Sequence, residues 1–389
     1  MITLTVNIGS SSIKAAVFDV VGAASLDMPA ASIWASETSA AGESPDELLP
    51  RLLSPIWDGP GAVVEGPGSI ETVAHRVVHG GQDLTQPTIL DATVRDVIRA
   101  HTDLAPSHNP LNLAGIEIAG VIFPDARQVA VFDTGFHSTL PPAAFTLSGP
   151  KDWASQGIRR YGFHGISHEY VTRRAVRLLG LPVEGLRIVS CHLGSGCSLA
   201  AVANGNSVDT TMGFTPLDGL VMGSRSGSVD PGVLLHLLRT GTTLDDLDRI
   251  LNRGSGLLGL SGISGDMRAV RLAAEGGDSS ARLALDVFVH RLRGQIASMA
   301  ASMNGIDALV FTAGIGEHDA QTRAATADGL GFLGVKIDIE RNRLVAAAVD
   351  MEISAPGSPV RTLVVHTNEN WAIACAAVNL VRSAEGPPL

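Results

Sequence analysis

The stretch NIGSSSIKAAVFD, residues 7–19, begins where an apolar run at residues 2–6 ends, and it leads into a second apolar run at residues 13–20. Two apolar runs joined by a short turn are typical of a β-hairpin. The turn is rich in Gly and Ser, whose N–H groups and hydroxyls can approach an anion closely, and Lys14 adds a positive charge. For this stretch alone, an ordinary polar turn is the slightly better interpretation.

The same pattern occurs again 185 residues later. Laid without gaps, NIGSSSIKAAV at residues 7–17 matches HLGSGCSLAAV at residues 192–202, and one Gly, one Ser and the whole of Ala-Ala-Val coincide. Chance similarity between two small-residue turns would explain this match. The offset is nearly half of the 389 residues, however, and favours an internal duplication with one hairpin in each of two domains.

Composition restricts the class of protein. The net charge is −11 at pH 7 and no basic tract occurs. Nucleic acids and anionic membranes need a basic surface, so we expect neither as a partner. The three cysteines, Cys191, Cys197 and Cys375, are too few for a disulfide framework. No segment has the pattern of a signal peptide or a membrane span, so we expect a cytoplasmic protein.

Strand-like and helix-like segments alternate along the chain, which predicts an α/β fold. Turn residues dominate residues 138–157, so we expect a domain junction near residue 138. The first domain would consist of residues 1–137 together with a returning C-terminal helix at residues 371–389. The second domain would consist of residues 138–370.

Apolar periodicity and capping residues predict the individual elements. We expect a turn at Asn204-Gly205 to close the second hairpin, and residues 21–70 to be mostly loop. The predicted strands are residues 2–6, 13–20, 71–78, 128–132, 187–193, 198–203, 310–311 and 360–365. The predicted helices are residues 45–53, 91–104, one capped by Asn109 with Pro110 first, one from Ser167 to Gly180, residues 279–304, and one starting at Asn368.

A third glycine-rich segment, TAGIGEH at residues 312–318, follows a buried strand at residues 307–311 and precedes a helix. A strand, a glycine loop and a helix in succession suit a nucleotide near the helix N-terminus. One such loop is a weak signal, but three in one chain favour a phosphate-binding protein.

Several ionisable residues lie beside glycines near strand ends. AHRVVHGG contains Arg76 and His79, RRYGFHGISH contains His164, and GSRSGSVDPG contains Arg225. An arginine within an apolar strand is costly to bury without a partner. Singly, each residue is better interpreted as part of a structural pair or as a satisfied histidine. Their common setting favours a site.

Two carboxylates lie at the ends of elements. Asp133 closes the strand QVAVFD, and Glu369 lies in VVHTNEN, where a strand meets a helix. Carboxylates at such positions suit a hydrated Mg²⁺, which usually takes one or two protein oxygens together with phosphate. For Glu369 the competing interpretation is an acidic residue in the first turn of a helix, which the helix dipole stabilises.

Together these segments resemble the acetate kinase family. The resemblance extends from residue 7 to about residue 371 and implies the fold of the sugar kinase, heat-shock chaperone and actin superfamily. That fold has two duplicated actin-like (RNase H-like) α/β domains, with a nucleotide in the cleft between them. The matching segments are NIGSSSIK, HRVVHGG, APSHNP, VFDTGFH, RRYGFHGISH, HLGSGCS, MGFTPLDGLVMGSRSG, SGDMR, FTAGIGE and TNE.

The resemblance implies a phosphotransferase with a carboxyl group as acceptor. Such an enzyme reversibly moves the γ-phosphoryl group of ATP to acetate and gives acetyl phosphate and ADP. It would use Mg²⁺, which Mn²⁺ could replace, and it would be a homodimer. The substrate would be acetate or another short-chain carboxylate.

The resemblance also implies catalytic roles for individual residues. Arg76 matches the residue that grips the substrate carboxylate, and Asp133 matches the acidic catalytic residue. His164 and Arg225 match residues that stabilise the transition state. The residues that match the magnesium positions are Asn7 and Glu369.

Two binding sets are implied in the same way. The acetate set surrounds the carboxylate and the methyl group, and the nucleotide set includes the three glycine-rich segments. The acetate set is Arg76, Val78, Ser107, His108, Phe163 and Pro216. The nucleotide set is Lys14, Ser10, Ser12, His192, Leu193, Gly194, Ser195, Gly196, Asp266, Met267, Arg268, Gly314, Ile315, Gly316, Glu317 and His318.

Elementary chemistry is consistent with these roles. A carboxylate of pKa about 4 is already ionised at neutral pH, so its attack on the γ-phosphorus needs no general base. We therefore interpret Asp133 as a residue that holds magnesium, directly or through water. The transition state is loose and in-line, so the protein mainly positions and neutralises two anions. No cysteine or serine has the setting of a required covalent nucleophile.

Four residues depart from the family pattern. Ser195 and His318 each replace an Asn, and Ser228 replaces an Asp, which leaves the preferred phosphoryl donor open. Ser107 replaces a Leu beside the acetate methyl group, which would enlarge or wet the pocket. A propionate or other short-chain acid kinase is therefore an alternative. A non-catalytic, nucleotide-gated actin-like protein is an alternative from a different class.

Overall fold

The computed structural model describes most of the chain, and its contacts divide the chain into two compact units. Unit 1 consists of Met1–Ser138, His164–Tyr170 and Asn368–Leu389, and unit 2 consists of Thr139–Phe163 and Val171–Thr367. Within the described residues, no helix is both long and apolar enough to cross a bilayer. The described residues are 1–9, 12–22, 24–39, 43–106, 108–345 and 349–385.

In the described part of unit 1, six strands form one mixed sheet in the order β3-β2-β1-β4-β6-β5. Strand β1 pairs antiparallel with β2 and parallel with β4, and β4 pairs parallel with β6. The edge strands β3 and β5 are antiparallel to their neighbours. The strands are β1 (Ile2–Ile8), β2 (Ser12–Asp19), β3 (Trp34–Ser39), β4 (Thr72–Val77), β5 (Thr88–Ile89) and β6 (Arg127–Phe132).

Unit 2 contains a second sheet, for which the described residues give the order β11-β12-β10-β7-β8-β9. The strand β10 is buried along its whole length, as is typical of a central strand in a parallel region. The strands are β7 (Arg187–Leu193), β8 (Cys197–Ala203), β9 (Asn206–Thr210), β10 (Ala308–Thr312), β11 (Met351–Glu352) and β12 (Arg361–Val364).

The two sheets have the same topology. Read from β3 in unit 1 and from β9 in unit 2, successive pairings are antiparallel, antiparallel, parallel, parallel and antiparallel. The prediction of an α/β fold with two similar domains is therefore confirmed. Unit 1 also contains residues 164–170 and 368–370, which differs from the expected boundaries.

The gapless alignment of the two hairpins is wrong by one residue. The last pair before the turn is Ile8 with Ile13 in the first hairpin and Leu193 with Cys197 in the second. Four positions of the sequence, 9–12, therefore separate the last paired residues of the first hairpin, whereas three positions, 194–196, separate those of the second. An alignment that places both strands of each hairpin in register needs a gap within the turn.

Helices cover the sheets of both units. Apolar side chains of the first helix, and Phe123 directly after the third, pack in the core of unit 1, where Leu49, Leu53 and Phe123 are almost completely buried. The helices are α1 (Pro45–Leu53), α2 (Ala92–Ala100), α3 (Asn109–Ile122), α4 (Pro142–Phe145), α5 (Gly165–Leu179), α6 (Pro231–Arg239), α7 (Leu244–Arg253), α8 (Gly256–Ser261), α9 (Met267–Glu275), α10 (Ser279–Ser302), α11 (Ala313–His318), α12 (Ala320–Asp328), α13 (Ile339–Arg343) and α14 (Glu369–Glu385).

Three local predictions need correction. Asn204-Gly205 does not close the β7–β8 hairpin but joins β8 to β9, with the φ angles of 53° and 78° that a two-residue hairpin turn requires. Helix α5 begins at Gly165, so Ser167 lies inside it. Helix α3 begins at Asn109, which makes His108 the N-cap residue.

Candidate active site

Three predicted site residues lie at one edge of the unit 1 sheet. Asn7 is near the end of β1, Arg76 is near the end of β4, and Asp133 directly follows β6. Because β1, β4 and β6 are parallel, their carboxyl ends meet at the same edge. Glu369, the first residue of α14, belongs to the same unit.

Hydrogen bonds link each of these four side chains to the next. Arg76 donates from Nη1 to Asn7 Oδ1 at 3.2 Å and from Nη2 to Asp133 Oδ2 at 2.5 Å. Asn7 donates from Nδ2 to Glu369 Oε2 at 3.0 Å. The structure therefore brings together Asn7, Arg76, Asp133 and Glu369, which we call the sheet-edge cluster.

The electrostatics of the sheet-edge cluster favour a charged Arg76. Burial is the largest single effect and lowers the pKa of its guanidinium, but the carboxylates of Asp133 and Glu369 outweigh it, so the pKa is raised. The Asp133 side chain is only 1% exposed. Because a buried ion pair is costly to desolvate, its presence here is better explained by chemistry than by stability.

Two polar atoms of the cluster lack a protein partner. Asp133 Oδ1 and Arg76 Nε are buried and have no hydrogen-bond partner among the described residues. Buried polar atoms are nearly always satisfied, so these two atoms indicate a missing ligand. A cation beside Asp133 Oδ1 and an anion beside Arg76 Nε would satisfy both.

The cluster offers oxygen ligands of the kind that a magnesium ion takes. In the described ranges, no group of three His, Cys, Asp or Glu side chains could hold a metal. Mg²⁺ needs no such group, since it usually takes one or two carboxylates together with water and phosphate oxygens. Asp133, Glu369 and the amide oxygen of Asn7 offer this set of ligands.

His164 is held beside Asp133 by the backbone. The N–H of Gly165 donates to Asp133 O at 2.8 Å, and a Cβ atom on Gly165 would lie only 2.3 Å from that oxygen. His164 itself has a φ of 57°, in the left-handed region that non-glycine residues rarely adopt. Backbone strain of this kind is concentrated at functional sites.

The start of α3 organises the backbone that follows Arg76. Asn112 Oδ1 accepts from Val78 N at 3.1 Å, and Asn109 Oδ1 accepts from His79 N at 3.1 Å. Burial, together with the neighbouring His101, lowers the pKa of His79 to about 3, so its imidazole is neutral at physiological pH. His108 is the N-cap residue of α3, while Ser107 lies outside the described residues.

The remaining residues predicted for the acetate set and for catalysis belong to unit 2, and they are Phe163, Pro216 and Arg225. Arg225 donates from Nη1 to Pro216 O at 2.8 Å, and Phe163 is almost completely buried. The cysteines have no catalytic setting. Burial raises the pKa of each thiol, so none is a reactive thiolate.

A pocket of about 1080 Å³ lies within unit 2. Its walls come from the β7–β8 turn and from α9, α11 and α12. The volume suits a ligand the size of a nucleotide. The lining residues are Gly194, Ser195, Gly265, Asp266, Met267, Arg268, Arg271, Leu272, Glu275, Gly314, Ile315, His318, Asp319, Ala320 and Gln321.

Eight members of the predicted nucleotide set line this pocket, at the turn, the start of α9 and α11. Lys14 lies in unit 1 and forms a half-exposed ion pair with Glu37 at 3.5 Å. Ser12 begins β2, and Ser10 lies outside the described residues. The members that are not among the lining residues are His192, Leu193, Gly196, Gly316 and Glu317 in unit 2, and Lys14 and Ser12 in unit 1.

Sequence reasoning missed seven of the lining residues, which are Gly265, Arg271, Leu272, Glu275, Asp319, Ala320 and Gln321. Arg271 donates to Asp319 Oδ2 at 2.5 Å and to Gln321 Oε1 at 2.9 Å, and Gln321 donates to Glu275 Oε1 at 3.2 Å. This network joins α9 to α12 across the pocket wall. The spacing of Arg268, Arg271 and Glu275 along α9 was the available signal, because residues three or four apart share a helix face.

The chain is similar to known proteins over most of its length. Residues 2–375 match the profile of the Acetokinase family. The chain is similar to acetate kinase of Nostoc punctiforme, with 50% identity over 91% of this chain and 87% of that one. It is also similar to acetate kinase of Gloeobacter violaceus, with 47% identity over 96% and 98% of the two chains.

Two solved structures are similar over nearly the full length. The crystal structure of Porphyromonas gingivalis acetate kinase has a TM-score of 0.88 at 33% identity and covers 98% of this chain and 100% of that one. A propionate kinase from Francisella tularensis has a TM-score of 0.85 at 35% identity and covers 97% and 99%.

Proposed function

Since this chain belongs to the acetokinase family and is a phosphotransferase, we propose that it moves the γ-phosphoryl group of ATP to acetate by direct in-line attack. The products are acetyl phosphate and ADP, and the reaction is reversible. The observation that carries this proposal is the sheet-edge cluster, with its buried, unpartnered atoms Asp133 Oδ1 and Arg76 Nε.

Arg76 binds the acceptor in this proposal. Its Nε is buried without a partner, while Nη1 and Nη2 are held by Asn7 and Asp133. A carboxylate of the substrate would satisfy Nε with a charge-assisted hydrogen bond. Val78, His108, Phe163 and Pro216 complete the acetate set, and Ser107 is proposed with them.

Asp133, Glu369 and Asn7 hold the metal ion, which we propose to be Mg²⁺. When bound, Mg²⁺ would neutralise charge on the phosphate oxygens of the nucleotide. Arg76 fixes Asp133 through Oδ2, which leaves Oδ1 as the oxygen that faces the metal or its water. Asn7 fixes Glu369 in the same way through Oε2.

The unit 2 pocket binds the nucleotide, and Lys14, Ser10 and Ser12 are proposed as further contacts. His164 and Arg225 act on the transferring phosphoryl group, where they stabilise negative charge in the transition state. The acetate carboxylate is ionised at neutral pH, so no residue is needed to remove a proton from it. The residues therefore position and neutralise, and none forms a covalent intermediate.

The proposal also includes the acid that the enzyme prefers. One similar structure is named a propionate kinase, and Ser107 stands where the family pattern has Leu. Loss of one methylene in an apolar pocket changes discrimination by about 10–200-fold. We propose acetate, as in the similar curated proteins, with propionate as the second candidate.

The chain also has features that support a homodimer in the cytoplasm. Helix α6 has no buried residue although it is largely apolar, and Val233, Leu235 and Leu238 are 48%, 51% and 41% exposed. An apolar helix that its own chain leaves uncovered is typical of an interface between subunits. The cysteines Cys191, Cys197 and Cys375 are free and buried, which suits a reducing compartment.

A trapping assay tests the proposed reaction. The protein is mixed with ATP, Mg²⁺ and acetate, propionate or butyrate, and any acyl phosphate is converted to its hydroxamate. We expect hydroxamate and ADP in equal amounts, with the highest kcat/KM for acetate. ADP release without hydroxamate for any of the three acids would overturn the proposal. A higher kcat/KM for propionate would overturn the choice of acetate as the preferred acid.

A further inference from the structure

Helix α11 is too short to be stable without contacts to other parts of the chain. It has only six residues, Ala313–His318, and isolated helices of this length are unstable. Its first residue, Ala313, has a φ of 64°, which is unfavourable for a residue with a side chain. Yet Gly314, Ile315 and His318 of this helix line the pocket, so other contacts must fix it.

The carboxyl group of Glu317 fixes the N-terminal end of α11. Its Oε1 accepts from Ala313 N at 2.8 Å, from Thr367 N at 2.9 Å and, weakly, from Thr312 Oγ1 at 3.4 Å. Glu317 is only 7% exposed. One buried oxygen thus stabilises the strained first residue and ties the helix to the segment that follows β12.

The guanidinium of Arg323 fixes the C-terminal end. Nη1 donates to Gly316 O at 2.9 Å and to Glu317 O at 2.8 Å, carbonyls that a short helix leaves unsatisfied. Nε and Nη2 donate to Asn342 Oδ1 and O at 2.7 and 2.8 Å. Arg323 is 1% exposed, so its buried guanidinium joins two carbonyl groups of α11 to two oxygens of Asn342 in α13.

We propose that Glu317 and Arg323 are positioning residues for the nucleotide. They hold α11 at its two ends and thereby place Gly314, Ile315 and His318 in the pocket. Neither side chain is among the lining residues, so both act through the helix backbone. This inference rests on the proposed function of the pocket as the nucleotide site, and it gives Glu317 a role other than direct contact with the nucleotide.

Two variants of Glu317 separate the effect of side-chain length from the effect of the negative charge. Glu317→Asp keeps the charge but shortens the side chain, so its oxygen cannot reach both Ala313 N and Thr367 N. Glu317→Gln loses the charge but keeps an oxygen at the same reach. The third variant is Arg323→Lys, which keeps the charge but cannot bond all four oxygens.

The chain offers a matched control at the opposite ends of the same strands. Arg187 and Asp307 form a two-bond ion pair, at 3.0 and 2.7 Å, where β7 and β10 begin. Residues 307 and 313 flank β10 and are separated by about 20 Å of extended chain. Asp307→Asn breaks an ion pair in unit 2 without touching α11.

The experiment measures ADP binding to the full chain by calorimetry, together with KM for ATP and for acetate. We expect Glu317→Asp and Arg323→Lys to weaken ADP binding and raise KM for ATP about tenfold or more. KM for acetate should stay within about twofold of the original value. Asp307→Asn should bind ADP as the unchanged protein does, whereas Glu317→Gln, which keeps an oxygen at the same reach, should weaken ADP binding less than Glu317→Asp does.

The outcomes distinguish this inference from the proposed function. If the unchanged protein does not bind ADP, the nucleotide site itself is wrong. If it binds ADP and both Glu317→Asp and Arg323→Lys bind equally well, the positioning role is wrong. An equal rise of both KM values, or equal weakening by Asp307→Asn, would also overturn the role, because it would indicate a general loss of structure. Thermal unfolding of each variant verifies that folded protein is compared.

Discussion

Arg76 is the residue on which the sheet-edge cluster depends, because it bonds both Asn7 and Asp133. Arg76→Ala should lower kcat/KM for acetate by about 10²–10³, since a charge-stabilising donor is lost. It should also destabilise the fold by about 3–5 kcal/mol, because Asp133 is left buried and unpaired. Steady-state kinetics and urea unfolding measure the two effects.

The double variant Arg76→Ala with Asp133→Asn separates these effects. Replacing the carboxylate by an amide removes the unpaired buried charge, so much of the stability should return while activity stays low. Near-full activity in either variant would show that Arg76 does not bind the acceptor.

His75, the neighbour of Arg76 on β4, should control acid stability. Burial, partly offset by the bond to Gln128 Oε1, lowers its pKa from 6.5 to about 4. Between these two values the unfolded chain binds a proton that the folded chain does not, so stability falls as pH drops through this window. The loss from pH 6.5 to pH 5 should be about 2 kcal/mol for this one group.

His75→Gln removes this proton and keeps a partner for Gln128. Urea unfolding of both proteins between pH 7.5 and pH 5 should therefore show a smaller decline in the variant. Equal declines would mean that His75 binds its proton equally well in the folded and unfolded states.

At the level of single residues, position along the chain could predict Arg76, Asp133 and Glu369, since each lies near the end of a strand or helix, whereas Asn7 was predicted from the family resemblance alone. Their hydrogen bonds followed only from the structure. Arg323 gave no sequence signal, because its partners at residues 316, 317 and 342 are brought to it by folding. Patterns along one element do not report such contacts.

At the level of elements, the long apolar strands and helices could be predicted and the irregular ones could not. Strand β3 was expected to be loop, because it is short and its residues WASETS alternate between half-buried and exposed. The segment TAGIGEH was expected to be a glycine loop, but residues 313–318 form α11. The intrinsic conformational propensity of residues 313–318 is weak, and the buried hydrogen bonds of Glu317 and Arg323 override it.

Helix α5 gives an element-scale prediction, because its first residue sets the distance to β6. A Cβ on Gly165 would lie 2.3 Å from Asp133 O, so Gly165→Ala must displace the helix start and His164 with it. We expect kcat to fall about 100-fold, as a displacement of about 1 Å in an active site can cost. Steady-state kinetics with ATP and acetate measure the effect.

Gly180, directly after the other end of α5, is the matched control. It has a φ of 61°, but nothing lies within 4 Å of a Cβ built there. Gly180→Ala should therefore cost about 1 kcal/mol of stability and leave kcat unchanged. Equal activities for the two variants would contradict the close approach of α5 to Asp133 as a catalytic requirement.

At the scale of the molecule, the repeated hairpin motif could predict two similar domains because duplication preserved both sequence and topology. It could not predict that residues 164–170 lie with unit 1, since this assignment depends on contacts such as Gly165 N to Asp133 O. The sequence also did not predict that the apolar helix α6 is exposed. An apolar helix has the same sequence pattern whether it packs in the core of a domain or at an interface between subunits.

The proposed homodimer can be tested on α6. Leu235→Lys places a charge on an exposed apolar helix, which should break a subunit interface but do little to a monomer. Light scattering should show a dimer for the unchanged protein and a smaller species for the variant. The control Leu272→Lys changes another exposed leucine, on α9, and should stay dimeric. A monomeric unchanged protein, or a fully dimeric Leu235→Lys, would contradict α6 as the interface.

Direct transfer between nucleotide and acetate has a consequence at the phosphorus atom. A single in-line displacement inverts its configuration, whereas two displacements through a phosphorylated residue restore it. ATP made chiral at the γ-phosphorus with three oxygen isotopes is converted with acetate, and the configuration of the acetyl phosphate is determined by phosphorus NMR. Inversion is the predicted result, because no residue of the cluster acts as a nucleophile. Retention would contradict direct transfer and require a covalent phosphoryl intermediate.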